Sequence, residues 1–313
     1  MPMQLEGIHH VTAITGDAPG NVEFYAGVLG LRLVKRTVNQ DDPTVYHLFY
    51  ADERGSAGAD ITFFEYPGVA RGRAGAGMVH RVVFRVASED ALDFWARRLE
   101  KAGTSAARSD RSLVFPDPEG LELELVIDTS GDEPLIAEHP DVPVEHAIRG
   151  FEAVHAFSGA PERSTALLEQ TLGFAPRGER EWLVRGDHRG GSYRYDAPPG
   201  ESGVSGAGTV HHVAWASTMD DHPAWRERVV EAGASPTPII DRFYFRSIYF
   251  REPSGVLFEI ATLGPGFTQD EPIETLGEGL SLPPNYEHLR DKLKDILTPL
   301  PDPRARARAG SSN

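Results

Sequence analysis

The strongest constraint on the fold of this chain is an internal repeat, because one set of sequence segments recurs along its 313 residues. The matching segments form three pairs: FWARRLEKAG (94–103) with AWRERVVEAG (224–233), PEGLELEL (118–125) with PSGVLFEI (253–260), and FYAGVLGL (24–31) with LLEQTLGF (167–174). Their spacing divides the chain into four modules that begin near residues 5, 78, 151 and 208. We therefore expect four copies of one small folding unit.

Each module is predicted to contain one strand, one helix and further strands, in the order βαβββ. Asp17 and Ser88 are suited to cap the N-termini of the first two helices. A glycine follows every helix-like segment, as is common at helix C-termini: Gly30, Gly103, Gly173 and Gly233. The local signals therefore agree with the repeat.

The modules are expected to pair, because a small sheet with one helix cannot bury both of its faces. The predicted fold class is α+β, with four βαβββ modules paired into two cupped half-barrel sheets. Residues 129–150 are polar and contain proline, which is typical of a linker. We expect an N-terminal pair of modules in residues 1–140 and a C-terminal pair, with a C-terminal helix and tail, in residues 141–313.

The composition excludes several classes of function. The chain has no cysteine, so disulfides, thiolate metal sites and cysteine nucleophiles are absent. It carries 31 basic and 47 acidic residues, and its net charge of −16 disfavours binding to nucleic acid or to an anionic membrane. No apolar run approaches the roughly 18–20 residues that span a bilayer. The N-terminal sequence lacks a signal-peptide pattern, so a cytoplasmic location is expected.

Histidines carry the clearest chemical signal. Four of the twelve are assigned to equivalent positions in the first strands of the modules: His10, His80, His155 and His212. Two of these follow another histidine, which gives the pairs His9–His10 and His211–His212. Adjacent strand residues point to opposite faces, so one histidine of each pair is expected to face a given cavity. The remaining histidines, His47 among them, are interpreted as structural or solvent-exposed.

Glu259 lies in the otherwise apolar segment VLFEIAT, where a buried carboxylate is costly unless it is paired or bound to a metal. Glu124 occupies the matching place in the second module. Two imidazoles and one carboxylate form the facial triad of non-haem Fe(II) sites, which leaves coordination positions open. Three sets of residues satisfy this pattern, and spacing does not choose among them: His155, His212 and Glu259; His10, His80 and Glu124; or His10, His212 and Glu259.

These features resemble the vicinal oxygen chelate (glyoxalase / extradiol dioxygenase) superfamily, and within it the ring-cleaving dioxygenases of the hydroquinone 1,2-dioxygenase type. The segments that carry the resemblance span nearly the whole chain: 5–16, 31–42, 46–58, 142–151, 210–216, 247–262 and 266–272. The resemblance implies that the first and fourth modules supply the metal ligands, which are then His10, His212 and Glu259. It also implies that modules two and three pair, with His80, Glu124 and His155 together at a mirror position.

The resemblance further implies an activity, namely Fe(II)-dependent opening of a hydroquinone or catechol ring with O₂; Mn(II) fits the same ligands. His9, Arg242 and Tyr249 match positions that line the pocket, where they would hold the substrate hydroxyl or move protons. Two alternatives are a glyoxalase-like isomerase or transferase that does not use O₂, and a metal-free module that sequesters drugs. The expected partners are a small aromatic substrate and O₂, with a homo-oligomer left open.

Overall fold

The computed structural model describes residues 3–302, and in them the predicted order βαβββ occurs four times. The strands of modules one and two are β1 (Ile8–Thr15), β2 (Arg32–Asn39), β3 (Asp42–Ala51), β4 (Asp60–Glu65), β5 (Val79–Val86), β6 (Ala107–Arg108), β7 (Ser112–Pro116) and β8 (Glu122–Ile127). Those of modules three and four are β9 (Phe151–Phe157), β10 (Ala175–Pro176), β11 (Glu181–Arg185), β12 (Gly190–Asp196), β13 (Val210–Ser217), β14 (Ile240–Asp241), β15 (Phe245–Arg251) and β16 (Leu257–Pro265).

One helical segment follows the first strand of each module. These segments are α1 (Ala18–Val22) with a π-helical continuation (Glu23–Val28), α2 (Glu89–Lys101), a 3-10 turn (Pro161–Ser164) with a π-helical segment (Ala166–Thr171), and α3 (His222–Glu231). Short 3-10 turns (Phe267–Gln269, Ile273–Thr275 and Pro284–Leu289) and α4 (Arg290–Ile296) follow the last strand. The part of the predicted C-terminal tail from residue 303 onward lies outside the described residues.

The predicted helix signals are confirmed. The Asp17 carboxylate accepts a hydrogen bond from the Gly20 amide at 3.1 Å, and the Ser88 hydroxyl accepts one from the Ala91 amide at 3.3 Å. The four predicted C-terminal glycines have positive φ, at 69°, 80°, 74° and 85° in chain order. A side chain would strain the backbone at these positions, which is why glycine ends each helical segment.

The strands form two eight-stranded sheets, which confirms the α+β fold class. Modules one and four make the outer-module sheet, in the order β14-β15-β16-β13-β1-β4-β3-β2. Modules two and three make the inner-module sheet, in the order β10-β11-β12-β9-β5-β8-β7-β6. Each half of the chain thus contributes one module to each sheet. The division into domains at residues 140 and 141 stays a prediction.

A shared apolar core connects the two sheets. Trp215 of the outer-module sheet is fully buried, and its ring packs edge-on against Tyr193 of the inner-module sheet at a centroid distance of 5.8 Å. Trp95 of α2 and Trp225 of α3 are fully buried as well. Large aromatic side chains contribute much of the apolar area that a core removes from water, so this contact holds the sheets together.

None of the helices in residues 3–302 is both long and apolar enough to cross a membrane.

Candidate metal centre and its cavity

Three neighbouring strands of the outer-module sheet bring His10, His212 and Glu259 together. The distance between His10 Nε2 and His212 Nε2 is 3.2 Å. The Glu259 Oε2 atom lies 3.1 Å from His10 Nε2 and 2.9 Å from His212 Nε2. All three side chains are buried. Of the three sets that the sequence left open, the structure assembles this one, and its role as a ligand set is taken up below as a proposal.

The electrostatics of this cluster fit a cation. Burial alone would raise the pKa of Glu259, but the neighbouring His10 and His212 hold it well below its usual range. Burial lowers the pKa of His212, against the opposing effect of Glu259. Both carboxylate oxygens of Glu259 are buried, and apart from the two imidazoles beside Oε2 no residue described offers either oxygen a hydrogen bond. A buried carboxylate without donors is costly, so a divalent ion between these groups would supply the missing partner.

The first histidine of each pair lies behind the second. His9 Nδ1 is 2.9 Å from His10 Nδ1, and His211 Nδ1 is 2.8 Å from His212 Nδ1. The pairing between β1 and β13 skips His9 on one strand and His211 on the other, so both occupy β-bulges. A bulge re-aims a side chain, and here it turns each imidazole toward its neighbour. One histidine of each pair thus lines the cavity, as expected.

The contacts of His9 fix which nitrogen of His10 carries the proton. His9 Nε2 lies 3.1 Å from the carbonyl oxygen of Thr262, which can only accept, so Nε2 donates. His9 Nδ1 is then suited to accept a hydrogen bond from His10 Nδ1, and this arrangement would leave the lone pair of His10 Nε2 for a metal ion beside Glu259 and His212. Burial lowers the pKa of His9 to about 3, so His9 is neutral at pH 7. His9 is absent from the cavity wall, unlike the other two predicted catalytic residues.

A cavity of about 420 Å³, open to solvent, adjoins the cluster. Its wall includes the aromatic side chains of Phe49, Phe64, Phe245 and Tyr249. Small-molecule sites commonly combine apolar and aromatic walls with a few polar groups. The aromatic wall is therefore suited to contact an aromatic ring next to His10 and His212.

Arg242 and Tyr249 both lie in the cavity wall, as the resemblance implies. The Arg242 guanidinium binds both carboxylate oxygens of Asp41, at 3.0 and 2.9 Å, and lies 5.4 Å from the centre of the Tyr249 ring. The Tyr249 ring contacts the His212 ring edge-on at 5.6 Å. Burial, and then the charge of Glu259, raise the pKa of Tyr249. Its hydroxyl therefore stays protonated at neutral pH and is a hydrogen-bond donor in the cavity.

His47 is a cavity residue that the sequence analysis missed. Its ring lies 4.0 Å from that of Phe49 and 4.4 Å from that of Phe64, and its Nε2 lies 2.9 Å from Thr62 Oγ1. Burial lowers its pKa well below the usual range, and His10 and His212 add to the effect. Strand alternation places His47 and Phe49 on one face of β3. Only the closure of the sheet shows that this face is the cavity wall.

The strand register corrects the predicted equivalence of the four histidines. In the outer-module sheet, β13 residue Ala214 pairs with Glu259. In the inner-module sheet, β5 residue Val83 pairs with Glu124. His212 lies two positions before Ala214 in β13, and Arg81 lies two positions before Val83 in β5. Arg81, and not His80, therefore corresponds to His212.

The same comparison applies to β1 and β9. Thr12 pairs with His212 in the outer-module sheet, and His155 pairs with Arg81 in the inner-module sheet. His155 therefore corresponds to Thr12, and Ala153 corresponds to His10. The mirror position contains an ion pair, because Arg81 Nη1 donates to Glu124 Oε2 at 2.8 Å. His80 and His155 do come together, with ring centroids 6.2 Å apart, but the carboxylate that joins them is Asp196 and not Glu124, so the predicted mirror set is wrong in its carboxylate and its position.

With the fold and cavity defined, comparison with known proteins identifies the family. The model of the Glyoxalase/Bleomycin resistance protein/Dioxygenase superfamily matches residues 7–125 and 150–260. The chain belongs to this superfamily, which confirms the first part of the resemblance. A crystal structure of glyoxalase I from Zea mays shares the fold, with a TM-score of 0.57 over 84% of this chain and 93% of that one at 16% identity.

More similar relatives narrow the comparison. The protein named "Putative ring-cleaving dioxygenase MhqO" of Bacillus subtilis (strain 168) is 42% identical over 96% of this chain and 98% of its own length. The chlorohydroquinone/hydroquinone 1,2-dioxygenase of Sphingobium indicum is 33% identical over 94% and 96%. The crystal structure of a "putative dioxygenase" from Bacillus subtilis superposes with a TM-score of 0.89 at 40% identity, over 96% of this chain and 98% of that one. The resemblance to relatives named ring-cleaving dioxygenases is thus confirmed.

Proposed function

We propose that this chain is a metal-dependent dioxygenase that opens the ring of a hydroquinone-type aromatic with O₂, and that His10, His212 and Glu259 hold the metal. The observation that carries the proposal is Glu259: its buried Oε2 atom lies beside the imidazole nitrogens of His10 and His212, and within residues 3–302 neither carboxylate oxygen has another hydrogen-bond partner. The relatives named as ring-cleaving dioxygenases support the reaction class. Fe(II) is the metal we assign, and Mn(II) fits the same donors.

The bound metal would supply a Lewis acid that lowers the pKa of a coordinated hydroxyl, with further positions open to ligands. The aromatic walls at Phe49, Phe64 and Phe245 would pack against the substrate ring and exclude water. Arg242, oriented by its ion pair with Asp41, would offer a further N–H donor to a substrate oxygen at the cavity wall. These side chains thus orient the ring over His10 and His212.

Proton transfer is assigned to Tyr249. Its protonated hydroxyl lies in the cavity wall beside His212, where it would donate to a substrate oxygen. The sequence assigned a similar role to His9, but both ring nitrogens of His9 have partners within the protein, His10 and the Thr262 carbonyl. We therefore assign His9 to the orientation of His10, without contact to the substrate.

A local pseudo-twofold argues against the glyoxalase-like alternative, in which a second carboxylate commonly joins the ligand set. The local twofold lies between the antiparallel strands β1 and β13 and relates His10 to His212 and Thr12 to Ala214. It also relates β4, the parallel neighbour of β1, to β16, the parallel neighbour of β13. Thr12 pairs with Thr62, and its equivalent Ala214 pairs with Glu259. The counterpart of Glu259 is therefore Thr62, whose hydroxyl is a neutral group.

The test is oxygen uptake by the Fe(II)-loaded protein, measured with hydroquinone and with catechol. We expect one O₂ consumed for each ring opened, with hydroquinone the better substrate. The same preparation is offered a glutathione hemithioacetal under anaerobic conditions. If the protein isomerises the hemithioacetal and consumes no O₂ with either hydroquinone or catechol, the glyoxalase-like function would replace the dioxygenase proposal.

A further inference from the structure

The inner-module sheet has its own cluster of metal-binding residues, outside the cavity described above. His80 of β5, His155 of β9 and Asp196 of β12 lie on three neighbouring strands. Asp196 Oδ2 is 3.1 Å from His80 Nε2 and 3.4 Å from His155 Nδ1. Within residues 3–302, three such side chains converge here and at His10, His212 and Glu259. The cluster therefore resembles the proposed metal centre in composition and spacing.

Gene duplication does not explain this cluster, because none of its members lies at a ligand position of the other sheet. By strand register, His80 corresponds to His211, His155 to Thr12, and Asp196 to Phe64. The true mirror of the proposed metal centre is filled by the Arg81–Glu124 ion pair. The cluster thus arose at positions of its own.

The surroundings hold the three side chains in place. The His80 ring stacks on Phe157 at a centroid distance of 3.8 Å and an interplanar angle of 5°. Arg194 Nε donates to Asp196 Oδ1 at 3.0 Å, which leaves Oδ2 facing both imidazoles. His155 Nδ1 is buried and has no hydrogen bond, although the carboxylate oxygen is near. Within residues 3–302 this nitrogen therefore has no hydrogen-bond partner, and it can serve as a metal ligand.

The nearby positive charge of Arg81 is already compensated. Its Nε donates to Glu122 at 2.6 Å, and its Nη1 donates to Glu124 at 2.8 Å. Glu122 Oε1 also lies 3.8 Å from His80 Nδ1. These carboxylates therefore offset part of the repulsion that the guanidinium exerts at the cluster.

We propose that His80, His155 and Asp196 bind a second divalent ion, Zn²⁺ or a similar borderline metal, independently of the proposed catalytic metal. Two imidazoles and one carboxylate are a common donor set for zinc, with water at the remaining positions. The cluster faces an open cleft, which admits such water. The ion would join β5, β9 and β12, and because it binds the folded state it would stabilise the inner-module sheet.

The test is titration of tag-free, chelator-treated protein with Zn²⁺ by calorimetry. The wild type is expected to bind two ions. Glu259→Gln should retain one, His155→Ala should retain the other, and the double variant should retain neither above background. His188→Ala, which changes an exposed histidine elsewhere, is the matched control and should still bind two. Zn²⁺ should raise the melting temperature of Glu259→Gln but not that of the double variant.

Equal Zn²⁺ binding by Glu259→Gln and by the double variant would overturn the proposal, and so would a wild type whose only site vanishes in Glu259→Gln. If His155→Ala fails to fold, Asp196→Asn provides the same comparison with a smaller change of volume. Ring cleavage by His155→Ala should equal that of the wild type. If ring cleavage falls in His155→Ala although the variant still binds this Zn²⁺ ion, the result would count against the proposal that the outer-module sheet by itself carries out the reaction.

Discussion

The two sheets share one topology, and among three corresponding positions they differ at two. The outer-module sheet has His10, His212 and Glu259, and the inner-module sheet has Ala153, Arg81 and Glu124. The glutamate is common to both. In one sheet its oxygens have no hydrogen-bond partner within residues 3–302 besides the two imidazoles, and in the other it is bound by the guanidinium of the same sheet.

Under the proposed function, this difference means that the fold provides a position for a cation but does not decide what the cation is. A covalently attached guanidinium neutralises Glu124 permanently, so the inner position has no need of a metal. The outer position has two imidazoles and no attached cation beside its glutamate, which is why we propose an external ion there. A site is thus set by a few side chains on a shared scaffold.

The largest effect is expected from the shared glutamate. Glu259→Gln should lower the affinity for Fe(II) by more than ~100-fold, because changing even a group that only orients a metal ligand costs 10–100-fold. Ring cleavage should fall with it. Glu124→Gln is the matched control and should leave metal binding at the outer site unchanged. Bound iron is measured by elemental analysis after gel filtration; equal iron in both variants would contradict the contrast between the sheets.

Tyr249 extends the comparison between the sheets. In the outer-module sheet Tyr249 pairs with Glu259, and in the inner-module sheet Val114 pairs with Glu124. Tyr249→Phe should reduce kcat by about 10²-fold, the loss expected for a proton donor, while Fe(II) affinity stays the same. Steady-state kinetics and a metal titration measure the two quantities. Tyr46→Phe, which removes a hydroxyl bonded to the Thr298 carbonyl, is the control. An unchanged kcat in Tyr249→Phe would remove this residue from the mechanism.

A contact between the sheets gives a pH-dependent test. The buried Asp117 of module two accepts a hydrogen bond from the hydroxyl of Tyr25 in module one at 3.0 Å, and burial raises the pKa of Asp117 to about 6. The folded state then keeps a proton that the unfolded state loses from about pH 4 upward, so this carboxyl group makes the protein less stable as pH rises toward 6.

Asp117→Asn removes this titration and retains a hydrogen-bond acceptor. Relative to the wild type, the variant should gain about 1–3 kcal/mol in the free energy of unfolding between pH 4 and pH 6.5. Urea unfolding at both pH values measures the difference. A gap between variant and wild type that does not change with pH would show that Asp117 has an ordinary pKa.

The smallest effect is expected from the ion pair that replaces the metal. Arg81→Ala leaves Glu124 without its partner and should lower the free energy of unfolding by about 1 kcal/mol. Arg177→Ala, which removes an exposed ion pair with Glu181, should change it by less than about half as much. The test compares the midpoints of urea unfolding of the two variants, provided that the dependence of the unfolding free energy on urea concentration is the same in both. Equal midpoints for the two variants would mean that Arg81 does not stabilise the mirror position.

The local features of the molecule could be predicted from the sequence because they depend on neighbouring residues. Strand periodicity, the caps at Asp17 and Ser88 and the glycines after the helices define four βαβββ modules. The paired histidines and Glu259 in an apolar strand indicate a metal site by residue type. These signals act over a few residues and are therefore visible along the chain.

Only the tertiary structure decided which modules meet, because strands more than 200 residues apart pair through hydrogen bonds and packing that no local pattern encodes. That pairing brings His10 to His212, and closure of the same sheet turns His47 toward the cavity. The register of the paired strands, which skips His80 in one sheet as it skips His211 in the other, assigned Arg81 to the mirror position, since an offset of one residue in a strand changes which side chain faces its neighbour.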